Sequence, residues 1–156
     1  MTQEERNLLL KEIGARIHYG VKILHQGWNY EWDDELSTLE KVIGIDGKFI
    51  YTKVINNNGE EYTLSKHTIS LYDDKIYLFP LSSMTEEQKI ECFKGTSLEI
   101  DKYGDISVKD DLYGNCQYTD LEMYLEVIEW LNKNHFDYRG LIEKGLAIDA
   151  TDKIIY

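Results

Sequence analysis

The sequence predicts an α+β fold: a small antiparallel sheet or SH3-like barrel over about residues 20–80, with an N-terminal helix and a C-terminal helix pair. Three observations carry this prediction. Apolar and polar residues alternate through the region of the sheet, as in half-buried strands. Before and after it, apolar residues recur with helical spacing. Between two apolar runs, Asp46-Gly47 supplies the positive φ angles of a tight hairpin turn.

The N-terminal helix is predicted over residues 3–16. Thr2 and Glu5 have the spacing of a capping box, in which the two side chains accept hydrogen bonds from each other's backbone N–H groups. One stripe of the helix is apolar and is expected to face the sheet; it comprises Leu9, Leu10, Ile13 and Ile17. The opposite side is polar and includes Glu12.

The central region is predicted to form five or six short strands. They include segments at about 20–25, 38–45 and 48–55, and further short strands up to about residue 80. The second and third of these are expected to pair antiparallel through Asp46-Gly47, and Asn58-Gly59 signals another turn. Short strands joined by tight turns are typical of a curled sheet or SH3-like barrel.

A short helix and a second hairpin are predicted to follow the sheet. The helix begins with a capping box at Thr85 and Gln88, and Ile90 and Phe93 are expected to face inward. Residues 97–109 alternate in polarity on both sides of a Tyr-Gly dipeptide, which predicts the hairpin.

The helix predicted from Thr119 has the widest apolar face in the chain, so we expect it to lie centrally. Thr119 and Glu122 form its capping box. Its apolar residues are Leu121, Met123, Tyr124, Leu125, Val127, Ile128, Trp130 and Leu131. Its polar strip is narrow and consists of Glu122, Glu126, Glu129 and Lys133. After a break at residues 132–135, Asp137 is expected to cap a short second helix that ends near Gly145.

The corner between these two predicted helices has the sequence HFDYR, residues 135–139. In a structural interpretation, Phe136 fills the corner, Asp137 caps the second helix and Arg139 pairs with a nearby acid. In a functional interpretation, the same residues form an exposed aromatic and cationic recognition patch. The sequence leaves both open.

Three blocks of the sequence carry a resemblance to known proteins. They are ARIHYGVKI at 15–23, YLFPLSSMTEEQ at 77–88 and WLNKNHFDYRGLIEKGLA at 130–147. Together they resemble a family of small proteins from phages and mobile elements of gut bacteria. That family has no established activity or catalytic residues, so the resemblance implies an origin and no mechanism.

Length and composition predict the number of domains, the localisation and the state of the cysteines. At 156 residues, the chain fits a single domain over 1–156. Its apolar runs are far shorter than the roughly 20 residues that span a bilayer, and its N-terminus lacks a secretory core, which predicts a cytoplasmic protein without membrane association. Cys92 and Cys116 stand alone, which indicates buried reduced thiols rather than a disulfide or zinc site.

The charge is strongly negative and unevenly distributed. The net charge is −12, and residues 79–156 hold 8 Lys and Arg against 16 Asp and Glu. A chain this acidic is repelled by phosphate backbones, so the sequence predicts no direct binding of nucleic acid or of anionic membranes.

No motif predicts catalysis, a metal or a cofactor. The histidines are scattered singly and are interpreted as surface or half-buried residues; they are His18, His25, His67 and His135. A calcium loop beginning at Asp101 would need Gly and Glu where Ile106 and Leu112 stand. Because no nucleophile motif or phosphate-binding loop is present either, the sequence favours a non-enzymatic protein with no metal and no cofactor.

An aromatic run provides the first candidate binding site. Trp28, Tyr30 and Trp32 occupy alternate positions, so an extended chain places all three on one face. Such a face is typical of a platform that stacks on a ligand ring or a partner. It is equally what a strand or hairpin uses to cover the edge of a core.

An acidic ridge provides the second candidate site. Glu122, Glu126 and Glu129 share the polar strip of the central predicted helix, in a span with nine acids against two lysines. We expect this ridge to meet a basic partner surface, because complementary fields accelerate association. The alternative is a solvated face that keeps the protein soluble.

Two hypotheses of function follow. The first is a non-enzymatic accessory protein of a phage or mobile element that binds a host or phage macromolecule, with a protein as the expected partner, through the acidic surface. The alternative is a small-molecule or nucleotide-binding protein, with or without catalytic activity, that uses Trp28, Tyr30 and Trp32.

Overall fold

The fold was obtained as a computed structural model, which describes residues 1–29, 34–47, 49–56, 58–68, 74–101, 103–108 and 121–156. Within these residues the α-helices are α1 (Gln3–Arg16), α2 (Glu86–Cys92) and α3 (Leu121–Lys133), and two single-turn 3-10 helices lie at Ile17–Tyr19 and Leu81–Ser83. The strands are β1 (Lys22–Asn29), β2 (Asp34–Asp46), β3 (Phe49–Ile55), β4 (Glu61–Thr68), β5 (Lys75–Pro80), β6 (Leu98–Ile100), β7 (Ile106–Val108), β8 (Phe136–Asp137) and β9 (Ala147–Asp149).

The predicted α+β class is confirmed. The main sheet has the order β4-β3-β2-β1-β5-β8, antiparallel from β4 to β5, and both β8 and β9 run parallel to β5. Strands β6 and β7 form a separate hairpin, as predicted for residues 97–109. In the described part of the chain the main sheet is open rather than closed on itself, so the SH3-like barrel is not confirmed.

Local signals placed most elements correctly. The capping box at the start of α1 is present: Thr2 Oγ1 accepts a hydrogen bond from the backbone N–H of Glu5 at 3.1 Å, and the Glu5 carboxylate accepts one in return. The capping box of α2 is likewise complete. Gly47 has φ +59° between the paired residues Asp46 and Phe49, which confirms the hairpin turn.

The predicted C-terminal helix pair is wrong, because only α3 forms. Residues 138–146 are turns, and the segments on either side of them join the sheet as β8 and β9. The carboxylate of Asp137 explains the difference, since it accepts hydrogen bonds from the backbone N–H groups of Arg139, Leu141 and Ile142. Such side-chain bonds offer the backbone an alternative to the helical ladder.

The apolar face of α3 is buried only over its last two turns. Val127 and Leu131 pack with Phe93, Leu98 and other residues in one core cluster, while α1 and the sheet enclose a second. Four residues of this face were predicted to face inward and are exposed instead: Leu121, Met123, Tyr124 and Leu125. Thr119, the predicted cap of this helix, lies outside the described residues.

Two residues of α2 were predicted to face the core, and the structure confirms one of these predictions. Phe93, the residue that ends this helix, is buried as predicted. Ile90 was predicted to face the core and is exposed, so the prediction for it is wrong. This helix has only about two turns, and the residues that reach the core are Cys92 and Phe93 at its C-terminal end.

Candidate functional site

The corner at residues 135–139 has a structural role. Phe136 is buried between the rings of Trp130 and Phe79, at centroid distances of 5.8 and 6.0 Å. Asp137 binds the backbone of the following turn, and Arg139 Nη1 lies 2.7 Å from Glu12 Oε1. These contacts confirm the structural interpretation for Phe136 and Arg139. The expected role of Asp137 is wrong in part, because its carboxylate closes a turn instead of capping a helix.

Glu12 and Arg16 form a buried ion pair in α1. Both side chains are 0% exposed and their charged atoms are in direct contact. The Arg16 guanidinium also donates a hydrogen bond to the carbonyl of Phe136 at 2.9 Å. The prediction that Glu12 lies on the solvent side of α1 is therefore wrong. The carboxylate is buried because Arg16 and Arg139 neutralise it there.

His25 and Asp74 form a second polar pair, which is partly buried. His25 Nδ1 lies 2.7 Å from Asp74 Oδ1, and the Asp74 carboxylate is almost fully buried. The hydrogen bond to Asp74 raises the pKa of His25 above its usual value, and burial opposes this shift. Nearby, the buried Glu40 accepts hydrogen bonds from the hydroxyls of Thr38 and Thr52. The sequence gives no signal for this pair, because β1 and the start of β5 are far apart along the chain.

We expect the pKa of His25 to lie above about 6.5 in the folded protein and to fall in an Asp74→Asn variant, which removes the charged acceptor. Because the folded-state pKa is raised, the pair stabilises the fold fully below the usual histidine pKa and loses this contribution as pH rises through the folded-state value. NMR titration of the imidazole signals measures both pKa values. A His25 pKa at or below the ordinary value would contradict the assignment.

The acidic ridge lies on the exposed side of α3, as predicted. Glu122, Glu126 and Glu129 are all exposed, and Glu129 Oε1 accepts a hydrogen bond from the Tyr19 hydroxyl at 3.2 Å. Leu121 and Leu125 lie next to the ridge on the helical wheel and are 70% and 57% exposed. We call these five α3 residues (Leu121, Glu122, Leu125, Glu126 and Glu129) the outer face of α3.

The aromatic run stays a prediction. Tyr30 and Trp32 lie outside the described residues. The backbone of Trp28 belongs to β1 and pairs with Glu35 of β2. The structure does not describe the Trp28 side chain. The structure therefore neither brings the three rings together nor separates them.

A cleft of about 740 Å³ lies between the start of β1 and the C-terminal corner. Four charged residues line it: Lys22, Lys41, Lys133 and Glu61. Aromatic residues form another part of the lining: Tyr19, Phe79, Phe136 and Tyr156. A volume of this size is typical of small-molecule sites. Among these lining residues, Phe136 belongs to the HFDYR segment, which one interpretation of the sequence made a recognition patch, and the others were not predicted site residues.

His135 holds an unusual position in the lining of this cleft. It is 6% exposed, although the sequence predicted a surface or half-buried residue. Its φ of +59° is the one positive value outside glycine in the described chain. The imidazole stacks on Tyr156 with centroids 3.8 Å apart, and Nε2 lies 3.1 Å from the Tyr19 carbonyl oxygen. Burial lowers the pKa of His135 to about 4, so the ring is neutral near pH 7.

Other chemical groups in the described part of the chain offer little for catalysis. Burial raises the pKa of the Cys92 thiol to about 12, so the thiol is protonated at neutral pH and unsuited to act as a nucleophile. Cys116 lies outside the described residues. Where the structure describes the chain, no cluster of His, Cys, Asp and Glu is arranged to hold a metal ion.

No helix among the described residues is both long and apolar enough to cross a bilayer. Comparison of the chain with protein families, with curated proteins and with solved structures finds no match.

Proposed function

We propose that this protein is a non-enzymatic accessory protein of a phage or mobile element, which binds a partner protein in the cytoplasm of the host cell. The outer face of α3 is the proposed binding surface. The three sequence blocks that resemble such proteins support the origin. The mixture of acidic and apolar side chains on α3 supports the binding role.

The exposed leucines of the outer face are the observation that carries the proposal. A face that only keeps a protein soluble is expected to have few large apolar side chains exposed side by side. Leu121 and Leu125 instead expose most of their surface beside three glutamates. Apolar residues that form a contiguous exposed patch with a polar rim are typical of protein interaction sites.

The chemistry of the outer face defines the partner. Its three carboxylates favour a partner surface rich in Arg and Lys, and they repel acidic surfaces. The two leucines favour an apolar depression at the centre of that surface, where the contact excludes water. The proposed partner is therefore a basic protein with an apolar groove that accepts one side of a helix.

The proposal can be tested by affinity capture from host lysate with quantitative mass spectrometry, with the full chain as bait. One variant carries Glu122→Gln, Glu126→Gln and Glu129→Gln, and a second carries Leu121→Ser and Leu125→Ser. We expect a basic protein to be retained by the wild type and to be reduced about tenfold or more in both variants. Raising the salt from about 50 to about 500 mM should release it, since exposed charges are then screened.

A charge-matched control separates the outer face from net charge alone. Glu4, Glu99 and Glu143 are exposed glutamates outside α3, and their replacement by Gln removes the same three charges. This control should retain the partner as the wild type does. The proposal fails if all baits retain the same proteins in equal amounts, or if the control loses the partner to the same extent.

A further inference from the structure

Three lysines form a row across the sheet. Lys22 of β1 is directly opposite Lys41 of β2, and Lys41 is directly opposite Lys53 of β3. Directly opposed residues project on the same face of a sheet, with Cβ atoms about 5 Å apart. Like charges in such positions repel each other and destabilise the sheet. A row of this kind therefore calls for a compensating anion.

The protein supplies only part of that compensation. Glu61 of β4 lies between two of the lysines, with Oε1 2.5 Å from Lys41 Nζ and Oε2 3.3 Å from Lys53 Nζ. In the described part of the chain no carboxylate is in contact with Lys22. Its ammonium donates a hydrogen bond to the carbonyl of Ile155 and lies 5.5 Å from the centre of the Tyr156 ring. Partial burial lowers the pKa of Lys22, the charge of Lys41 lowers it further, and the charge of Glu61 opposes both effects.

The lysine row borders the cleft. Lys22 and Lys41 line it together with Lys133, which comes from the end of α3. Among the described residues, Lys133 has no hydrogen-bond or ion-pair partner. With Glu61 as the acid in the lining, the cleft has a net positive charge in a protein whose total charge is −12. His135 adds no charge near neutral pH.

The total charge of the protein limits the size of the anion. A long polyanion such as nucleic acid extends beyond the cleft and meets the acidic surface around it, which opposes binding. A small anion stays within the cleft, where the positive charges of the lysines are the nearest and attract it. The cleft volume, about 740 Å³, and the aromatic part of the lining suit a ligand with an organic body as well as a charged group.

We propose that this cleft binds a small phosphomonoester, whose dianionic phosphate contacts Lys22, Lys41 and Lys133 and whose organic portion lies against the aromatic lining. Lysine ammonium groups bind phosphate as point charges and need no fixed bidentate geometry. A phosphate between them also relieves the repulsion within the row. This site is distinct from the outer face of α3 and does not depend on a partner protein.

The probe is adenosine 5′-monophosphate, with inorganic phosphate and adenosine as matched ligands. Binding to the full chain is followed by backbone amide NMR shifts and by isothermal titration calorimetry at low ionic strength. We expect the monophosphate to shift the amide signals of Lys22, Lys41 and Lys133. Inorganic phosphate should shift the same signals, and adenosine should bind about tenfold or more weakly because it lacks the charged group.

The key variant is Lys133→Met, because the exposed Lys133 side chain has no described partner whose loss could disturb the fold. We expect it to weaken binding of the monophosphate by about tenfold. Lys94→Met is the matched control: Lys94 is also exposed and lies outside the cleft, so affinity should stay unchanged. The proposal is overturned if adenosine binds as tightly as its monophosphate, if phosphate-bearing probes shift none of the three signals, or if Lys133→Met binds like the wild type.

Discussion

Replacing Glu12 with Gln is expected to lower the free energy of unfolding by about 3 to 5 kcal/mol. The change keeps the size of the side chain and removes its charge. Arg16, which is 0% exposed, then remains charged without its carboxylate partner. Because few polar groups and no water shell can replace that partner, the desolvation cost of the guanidinium is no longer offset. Urea denaturation followed by circular dichroism measures the difference.

Three further variants test the cause of this loss. Glu4→Gln makes the same chemical change at an exposed site of α1 and should cost less than about 1 kcal/mol. Arg139→Gln should cost less than Glu12→Gln, because Arg139 is 31% exposed and Glu12 keeps Arg16. Replacing Glu12 and Arg16 together with Met should also cost less than the single change, because no buried charge is left alone. Equal losses for Glu12→Gln and Glu4→Gln would contradict the buried-pair explanation.

The elements that the sequence predicted correctly depend on neighbouring residues. The two capping boxes and the turn at Gly47 each need contacts within four residues, so residue type and spacing were sufficient. The prediction of a second C-terminal helix was wrong because it depended on contacts that are distant in the sequence. Asp137 can cap a helix or close a turn, and the choice depended on whether the flanking segments paired with β5.

Burial of charged residues could not be predicted from helical spacing. Glu12 and Arg16 have the spacing of an ordinary surface pair in α1. Their burial depends on Arg139 and on the carbonyl of Phe136, which the C-terminal segment brings to the helix. The exposure of the three glutamates of α3 was predictable from helical spacing within one helix. The exposure of Leu121 and Leu125 was not, because it depends on which other elements pack against the first turns of the helix.

The lysine row could not be predicted from the sequence because the pairing of β2 with β3 is irregular. Counting back from the turn, where Asp46 pairs with Phe49, would place Lys41 opposite Val54. A bulge between Val42 and Gly44 shifts the register by one residue and places Lys41 opposite Lys53 instead. The isolated Gly44 within the strand is compatible with a bulge, but it does not determine which residues pair across the strands. The cleft lining therefore emerged only from the three-dimensional register.

The second large effect that we expect is a loss of stability in acid caused by His135. The neutral imidazole is held by stacking on Tyr156 and by the contact of Nε2 with the Tyr19 carbonyl. Its other nitrogen, Nδ1, is buried and accepts no hydrogen bond within the described structure. A proton on Nδ1 would have no acceptor there, and the charges of Arg16 and Lys22 oppose it as well.

The direction of the effect follows from the two pKa values. Above about pH 6.5 the histidine is neutral in both the folded and the unfolded chain. As pH falls from there to about 4, His135 becomes protonated in the unfolded chain but stays neutral in the folded protein. This difference lowers the free energy of unfolding. A shift from 6.5 to about 4 corresponds to about 3 kcal/mol. Below that pH the contribution is constant.

The test compares the pH dependence of unfolding in the wild type and in His135→Asn between about pH 7 and 4.5. Asparagine tolerates the positive φ at this position and cannot titrate, so the variant should lose stability at pH 7 and show a shallower decline in acid. The opposite contribution of His25 is present in both proteins and cancels in the difference. Parallel pH profiles, or an imidazole of His135 that titrates near 6.5 by NMR, would show that its protonation is not resisted by the fold.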